Sequence, residues 1–440
     1  MTTEYDKTVF QTADLYDIRL KQCEEYRKDY ENERENNCDG EDFDELETPE
    51  EYSARIMDGL SRGEEIVLMK YNGDAEDVTV PDCITMINAY SFRGKTALRS
   101  VTLPNTVKQM GRNAFDGCSA LEQVWLDDSL SAINAETFRN CTALESITLP
   151  DSVESVRMNA FDGCIALKNV RLGEGLKFIG WDAFARCTAL KTVRLPESLE
   201  EIDLNVFYDS GLEEIYLPKN LKSLNSSAFI GCVELKKLEV DPENPYFYSR
   251  DNCVYNRKNK WLTVGRNDGT LPDDGSFTYI DGDAFVDNPL VKELTVPSGV
   301  TSIGISAFNG CVNLRRVTLP DTLSSIGRCA FEGCTALEEI VIPGSVKKID
   351  GLAFWKSGVK KVVVKRGVEI IGDNAFGKCD RLRELYIPST VKQMWSHFYS
   401  AAAASVRVYI ETSAEKNYER WLDSVEKCDV VLGFDPSIFD

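Results

Sequence analysis

Histidine is nearly missing from this chain: His397 is the one imidazole in 440 residues. A Ser-His-Asp or Cys-His catalytic arrangement would have to be built on it. It stands where other repeats carry alanine before a phenylalanine, so it reads as a tolerated bulky residue where the array opens toward its C-terminal end. The 14 cysteines include no Cys-x-x-Cys pair, which removes the commonest zinc and dithiol signatures. Walker loops and dinucleotide fingerprints are also lacking, and the glycines fall in recurrent turns. Neither catalysis nor a cofactor nor a metal is therefore expected. No apolar run approaches the length of a membrane span, so membrane insertion is not expected. Basic residues are outnumbered, 50 against 72 acidic, for a formal net charge of -22. Such a surface repels phosphate backbones, so nucleic acid is not an expected partner. The opening Met1 to Lys7 lacks the basic stretch and apolar core of a secretory signal. As written, the chain is expected in the cytoplasm; a signal already removed would place it at the cell surface or outside.

Periodicity is what the sequence has in abundance. Phe92, Phe115, Phe138, Phe161, Phe184, Phe207 and Phe229 recur at steps of 23 or 22 residues. After a gap of 56, Phe285, Phe308, Phe331, Phe354, Phe376 and Phe398 resume the same spacing. An aliphatic residue lies five before each internal phenylalanine, as in Ile133, Ile179 and Ile326, and leucines such as Leu144, Leu190 and Leu337 follow six after. An alternating segment closed by proline comes next, for example Ile147-Thr148-Leu149-Pro150. A unit this short cannot bury its own apolar face, so neighbours must stack, with one parallel strand per unit ended by a residue that has no N–H to donate. The expected fold is a repeat solenoid of about 13 coils with a parallel β-sheet on one face.

The co-occurrence in phase of Leu-x-x-Ile-x-Leu-Pro, Ile-Gly-x-x-Ala-Phe and Phe-x-x-Cys resembles the BspA-like subclass of leucine-rich repeats, over about residues 66–410. Val67 to Asp74 with Val78-Thr-Val-Pro81 resembles the entry coil of that family, and the stretch holding Tyr418, Trp421 and Val430 resembles its closing helix and strand. The resemblance implies a non-enzymatic interaction protein, and many relatives are bacterial surface proteins. Five segments follow: an acidic helical cap at 1–65, a first repeat block at 66–242, an aromatic β-hairpin insertion at 243–275, a second block at 276–410 and an α/β cap at 411–440.

Eight cysteines share one position, three after the phenylalanine: Cys118, Cys141, Cys164, Cys187, Cys232, Cys311, Cys334 and Cys379. Stacked side chains that point the same way suit neither tetrahedral ligation nor bridging, so a column of buried thiols acting as small hydrophobes is expected. The first 65 residues hold 21 acidic and 8 basic side chains, a net of -13. Two helices are read there, Asp14 to Asn36 and one opened by the capping box Thr48-Pro-Glu-Glu51. Between them, a calcium loop centred on Gly40 fails because Leu46 occupies the place of the required glutamate, leaving a solvated acidic linker. The first 45 residues are expected to contribute little to folding. The insertion gathers Tyr246, Phe247, Tyr248, Tyr255 and Trp261 in one protrusion, structural in the first instance and a partner contact where rings stay exposed.

The strand position that faces away from the core reads Thr102, Trp125, Thr148, Arg171, Arg194, Tyr216, Glu239, then Thr295, Thr318, Val341, Val363, Tyr386 and Tyr409. Threonine is the default. Trp125, Arg171, Arg194 and Tyr216 depart from it together, and Trp, Tyr and Arg are the residue types enriched at binding hot spots. They are the expected protein-binding residues of a monomeric module, projecting in one contiguous strip; a solvated, β-favouring face is the plainer alternative. Val341 and Val363 are a second, apolar candidate. A surface adhesin or spacer is the competing functional class, and carbohydrate binding rests only on exposed aromatics.

Overall fold

Strands of three residues with one apolar side chain at the centre can hydrogen-bond on both edges while burying a single face, and the chain repeats this device coil after coil. A computed structural model describes residues 10–14, 65–265, 267–394, 399–400, 406–411, 428–431 and 436–439. The fold is a parallel-strand β-solenoid of about 14 turns. It divides into two compact units, Met1–Leu176 and Lys177–Asp440.

In the first unit, strands Asp77–Thr79, Ser100–Thr102 and Gln123–Trp125 pair in parallel, as do Ser146–Thr148 and Asn169–Arg171. Val101, Val124 and Ile147 point inward from their centres. A second parallel ladder of two-residue strands runs alongside, including Gln109–Met110, Ala132–Ile133 and Ser155–Val156. Each ends on the buried aliphatic residue five before a phenylalanine. One strand per coil was expected; two residues are too few to show an alternating pattern, which is why the second ladder is silent in the sequence. Tyr71, Phe92, Phe115, Phe138 and Phe161 form a stacked column with ring centroids 4.8 to 5.4 Å apart. Left-handed residues flank each phenylalanine of this stack two before and two after, as with Asn113 and Gly117 around Phe115.

At the start of this unit, strand Phe10–Asp14 pairs antiparallel with Ile66–Tyr71, the first repeat-block strand among the described residues, and covers its outer edge. The expectation that the first 45 residues matter little to folding is corrected here, because part of that segment closes the first sheet. The expected helices and acidic linker lie outside the described residues.

In the second unit, Phe184, Phe207 and Phe229 stack at 5.8 and 5.7 Å, and Phe285 to Phe376 stack at 4.9 to 5.3 Å. The insertion between them forms the expected hairpin strands, but they join the short ladder instead of standing apart from it. Phe247–Arg250, Cys253–Asn256 and Trp261–Val264 make an antiparallel sheet, and Trp261–Val264 then pairs in parallel with Tyr279–Ile280 of the short ladder. Its aromatic residues divide accordingly: Tyr255 and Phe247 are buried, whereas Tyr246 and Trp261 stay exposed, with Trp261 tilted against Tyr279.

Asparagine side chains repair the backbone where the longer-strand ladder breaks. Asn252 accepts from the Leu238 N–H and donates to the Lys236 carbonyl. Ser249 accepts from the Val240 N–H. Asn267 donates to the carbonyls of Cys232 and Leu235. The ladder resumes at Glu293–Thr295 and ends with Val406–Ile410 and Cys428–Val431 in parallel. The closing strand is therefore present; the expected helix around Tyr418 and Trp421, like His397, lies outside the described residues.

Candidate functional site on the strand face

Because side chains alternate along a strand, the residue after the buried centre must face solvent. Trp125 does so with 49% of its surface exposed, and Tyr216 with 43%. Arg171 and Arg194 are exposed on the same strand position. Trp125 and Arg171 belong to the first unit, where each lies in register beside a threonine, Thr102 and Thr148 respectively. Arg194 and Tyr216 belong to the second unit and are direct register neighbours.

Around this second pair lies an open depression of roughly 400 Å³, floored by the strands Thr192–Arg194, Glu214–Leu217 and Lys237–Val240. The Tyr216 hydroxyl donates to Asp241 at 2.8 Å, and this bond pushes the phenol up to about 12. Asp241 is held below the ordinary carboxylate range by the Glu243 N–H and by Tyr216. The aromatic ring is thus fixed in orientation while its face stays open. Lys237 pairs with Glu239 at 3.0 Å.

Charges in the depression are mixed. Arg194 and Lys237 sit among Glu197, Glu214 and Glu239. Sequence reasoning placed Glu239 in the same column but emphasised the arginines and missed Glu197 and Glu214. Glu214 and Lys237 were within reach of the same alternation argument, since the residue two before the chosen position shares its face. Asp241 gave no signal, because only the coil geometry brings it to Tyr216.

The second apolar candidate is half correct. Val341 is 48% exposed, but Val363, its register partner, retains 5%. The turn Pro436–Phe439 packs against the strand Lys361–Val364 that carries Val363. A segment far along the chain lies beside that strand, which strand alternation alone cannot foresee.

The cysteine column has a clearer role than filling space. Seven ladder thiols each lie 3.0 to 3.2 Å from the carbonyl of the phenylalanine one coil earlier, as Cys141 does from Phe115, and donate to it. Burial pushes the Cys118, Cys232 and Cys311 thiols up to about 12, far from the reactive range.

Among the described residues, no helix is long and apolar enough to cross a membrane. No curated protein sequence matches the chain. Among solved structures, a leucine rich cell surface protein of Faecalibacterium prausnitzii is similar at 23% identity and a TM-score of 0.61, over 86% of this chain and 92% of that one. The pneumococcal vaccine antigen PcpA is similar at 21% identity and a TM-score of 0.62, over 84% of this chain and 92% of that one. A leucine-rich repeat protein of Bacteroides ovatus shares 24% identity at a TM-score of 0.52, over 84% and 97%. These likenesses concern the fold. The BspA type leucine rich repeat region matches residues 69–180, 132–259 and 278–404 in six copies. With its phenylalanine column, cysteine ladder and strand ladder all in that phase, the chain belongs to the BspA type leucine-rich repeat family.

Proposed function

We propose that this chain is a non-enzymatic, monomeric protein-binding module that uses the strand face of its repeats. The observation that carries the reading is the exposure of Trp125 and Tyr216 on a face whose ordinary residue is threonine. Large rigid rings on a scaffold held by coil-to-coil hydrogen bonds lose little conformational entropy on binding. Arg171 and Arg194 recognise carboxylates through their planar forks. The glutamates beside Arg194 favour a partner segment that carries both signs of charge.

The test is affinity capture from the native lysate and cell-surface extract, run in parallel with the wild-type chain and a Trp125→Ala/Arg194→Ala variant. A partner bound through this face should lose at least about 2 kcal/mol with the variant, roughly thirtyfold, at an unchanged melting temperature. A partner that binds both chains equally would sink the assignment. Light scattering should report a monomer.

A second reading is display at a bacterial surface as an adhesin or spacer. It is supported by the similarity to a leucine rich cell surface protein and to a pneumococcal vaccine antigen. Protease treatment of intact source cells distinguishes the two: external cleavage of this chain supports display, and full protection removes it.

A further inference from the structure

The second repeat block differs in charge from the rest of the chain. Residues 276–410 carry 16 lysines and arginines against 13 aspartates and glutamates, a net of +3 in a chain whose net is -22. Several of these cations gather on the strand face. An open depression of roughly 640 Å³ is lined there by Arg315, Arg316 and Arg381, with Glu338, Glu339 and the exposed Val341. Lys360 holds Glu338 at 2.9 Å, Arg381 faces the same carboxylate at 3.9 Å and Arg316 pairs with Glu293 at 3.3 Å, so four cations meet three carboxylates in and around the rim. The depression therefore presents excess positive charge around an apolar floor.

The adjacent coil differs in exposure. Val363, in register with Val341, is buried, and the turn Pro436–Phe439 lies against its strand. Val341 carries the same kind of side chain in the same register, yet half of it stays open.

From this we infer that the face around Val341 is a docking site for an extended acidic peptide segment. An aliphatic or aromatic residue of the segment would lie on Val341 while flanking carboxylates meet Arg315, Arg316 and Arg381. Bidentate arginine–carboxylate pairing around an apolar contact gives both steering and specificity. Phosphate backbones fit less well, because Glu338 and Glu339 sit between the arginines and nothing in a phosphate would use Val341. The site is separate from the Trp125 to Tyr216 face and stands or falls independently of it.

Fluorescence anisotropy with a labelled synthetic peptide alternating aspartate and isoleucine tests the inference on the full chain. Saturable binding that weakens as salt is added is expected. Val341→Asp should weaken it about tenfold or more, an Arg315→Gln/Arg381→Gln variant comparably, and Trp125→Ala not at all. Should Val341→Asp lower the melting temperature, the two-arginine variant decides. The inference is overturned if the peptide does not bind, if its aspartate–serine counterpart binds equally well, or if oligothymidylate displaces it at lower concentration.

Discussion

At the scale of single residues, most coils are closed by two left-handed positions around the phenylalanine, and their occupants set a local cost. Gly333 sits at φ +70°, and a Cβ there would meet nothing nearer than 3.6 Å, so only the backbone conformation opposes substitution. Gly333→Ala should lower stability by about 1 kcal/mol, read from the denaturant midpoint. Lys356 holds the equivalent place one coil later at φ +55° and is exposed. Lys356→Gly should raise stability by about 0.5 kcal/mol, the relief of strain exceeding the added freedom of the unfolded chain. The cysteine column adds a pH dependence. A thiol whose ionisation is raised in the folded state holds its proton where the unfolded chain has already lost it. Its contribution is complete below the ordinary thiol range, about pH 8.5, and is lost as pH rises toward the folded value. Burial raises Cys141 well above its ordinary value. Stability should therefore fall above pH 9, by up to about 1.4 kcal/mol per pH unit for each such thiol. Cys141→Ser should shallow that slope while keeping a donor toward Phe115, as Ser210 and Ser357 show that serine is accepted in this column. A slope unchanged by the substitution would count against the thiols as its source.

At the scale of elements, the insertion is a repair rather than an ornament. Asn244 is buried, and its amide donates to the Pro218 and Leu221 carbonyls while its oxygen accepts from the Tyr246 and Phe247 N–H groups. Asn244→Ala removes four partners at once and leaves buried groups unsatisfied, so a loss of about 3 kcal/mol is expected by denaturant unfolding. Asn244→Asp should also be costly, since the donors to the two carbonyls vanish. These asparagine contacts were not visible in the sequence, where the same stretch showed hairpin strands, clustered aromatics and turn residues. The longer ladder and the phenylalanine and cysteine columns were legible because they repeat: Val124 or Phe138 has a counterpart 23 residues away that confirms its role. Asn244, Asn252 and Asn267 act once each, at the one place where the array breaks, and a pattern cannot announce a single event. The same holds for the candidate site. Trp125 and Tyr216 were found as departures from threonine in a periodic column, while the partnership of Tyr216 with Asp241 and the turn beside the Val363 strand depend on contacts with no period. Deleting residues 1–14 tests the other unpatterned element: it uncovers the edge of Ile66–Tyr71 and should destabilise the first unit and promote self-association.

At the scale of the molecule, adjacent coils communicate through short-range contacts. Ion pairs run from coil to coil with alternating sign, as in Glu76–Arg99–Glu122 and Lys191–Glu213–Lys236. The members of these two chains are exposed, so each pair adds little, but the alternation keeps like charges from meeting in register and disfavours slipped stacking. The aromatic column stabilises the array more strongly, and it too links each coil only to its neighbours. Phe331 stacks on Phe308 and Phe354, and Phe115 on Phe92 and Phe138. Each is fully buried, so truncation to alanine should cost about 3–5 kcal/mol. In a chain whose stability sums over repeats and their interfaces, two such losses add only if they share no interface. Phe115→Ala and Phe331→Ala lie in different compact units and should destabilise them separately, giving two resolved unfolding steps in calorimetry or the plain sum where the units melt together. Phe308→Ala and Phe331→Ala share one stacking contact, which either substitution alone already removes. Their double variant should therefore cost less than the sum of the singles, by about 0.5–1.5 kcal/mol. Equal additivity in both pairs would mean that the column is a set of independent buried rings rather than a stack, and that the regular 23-residue spacing serves burial alone.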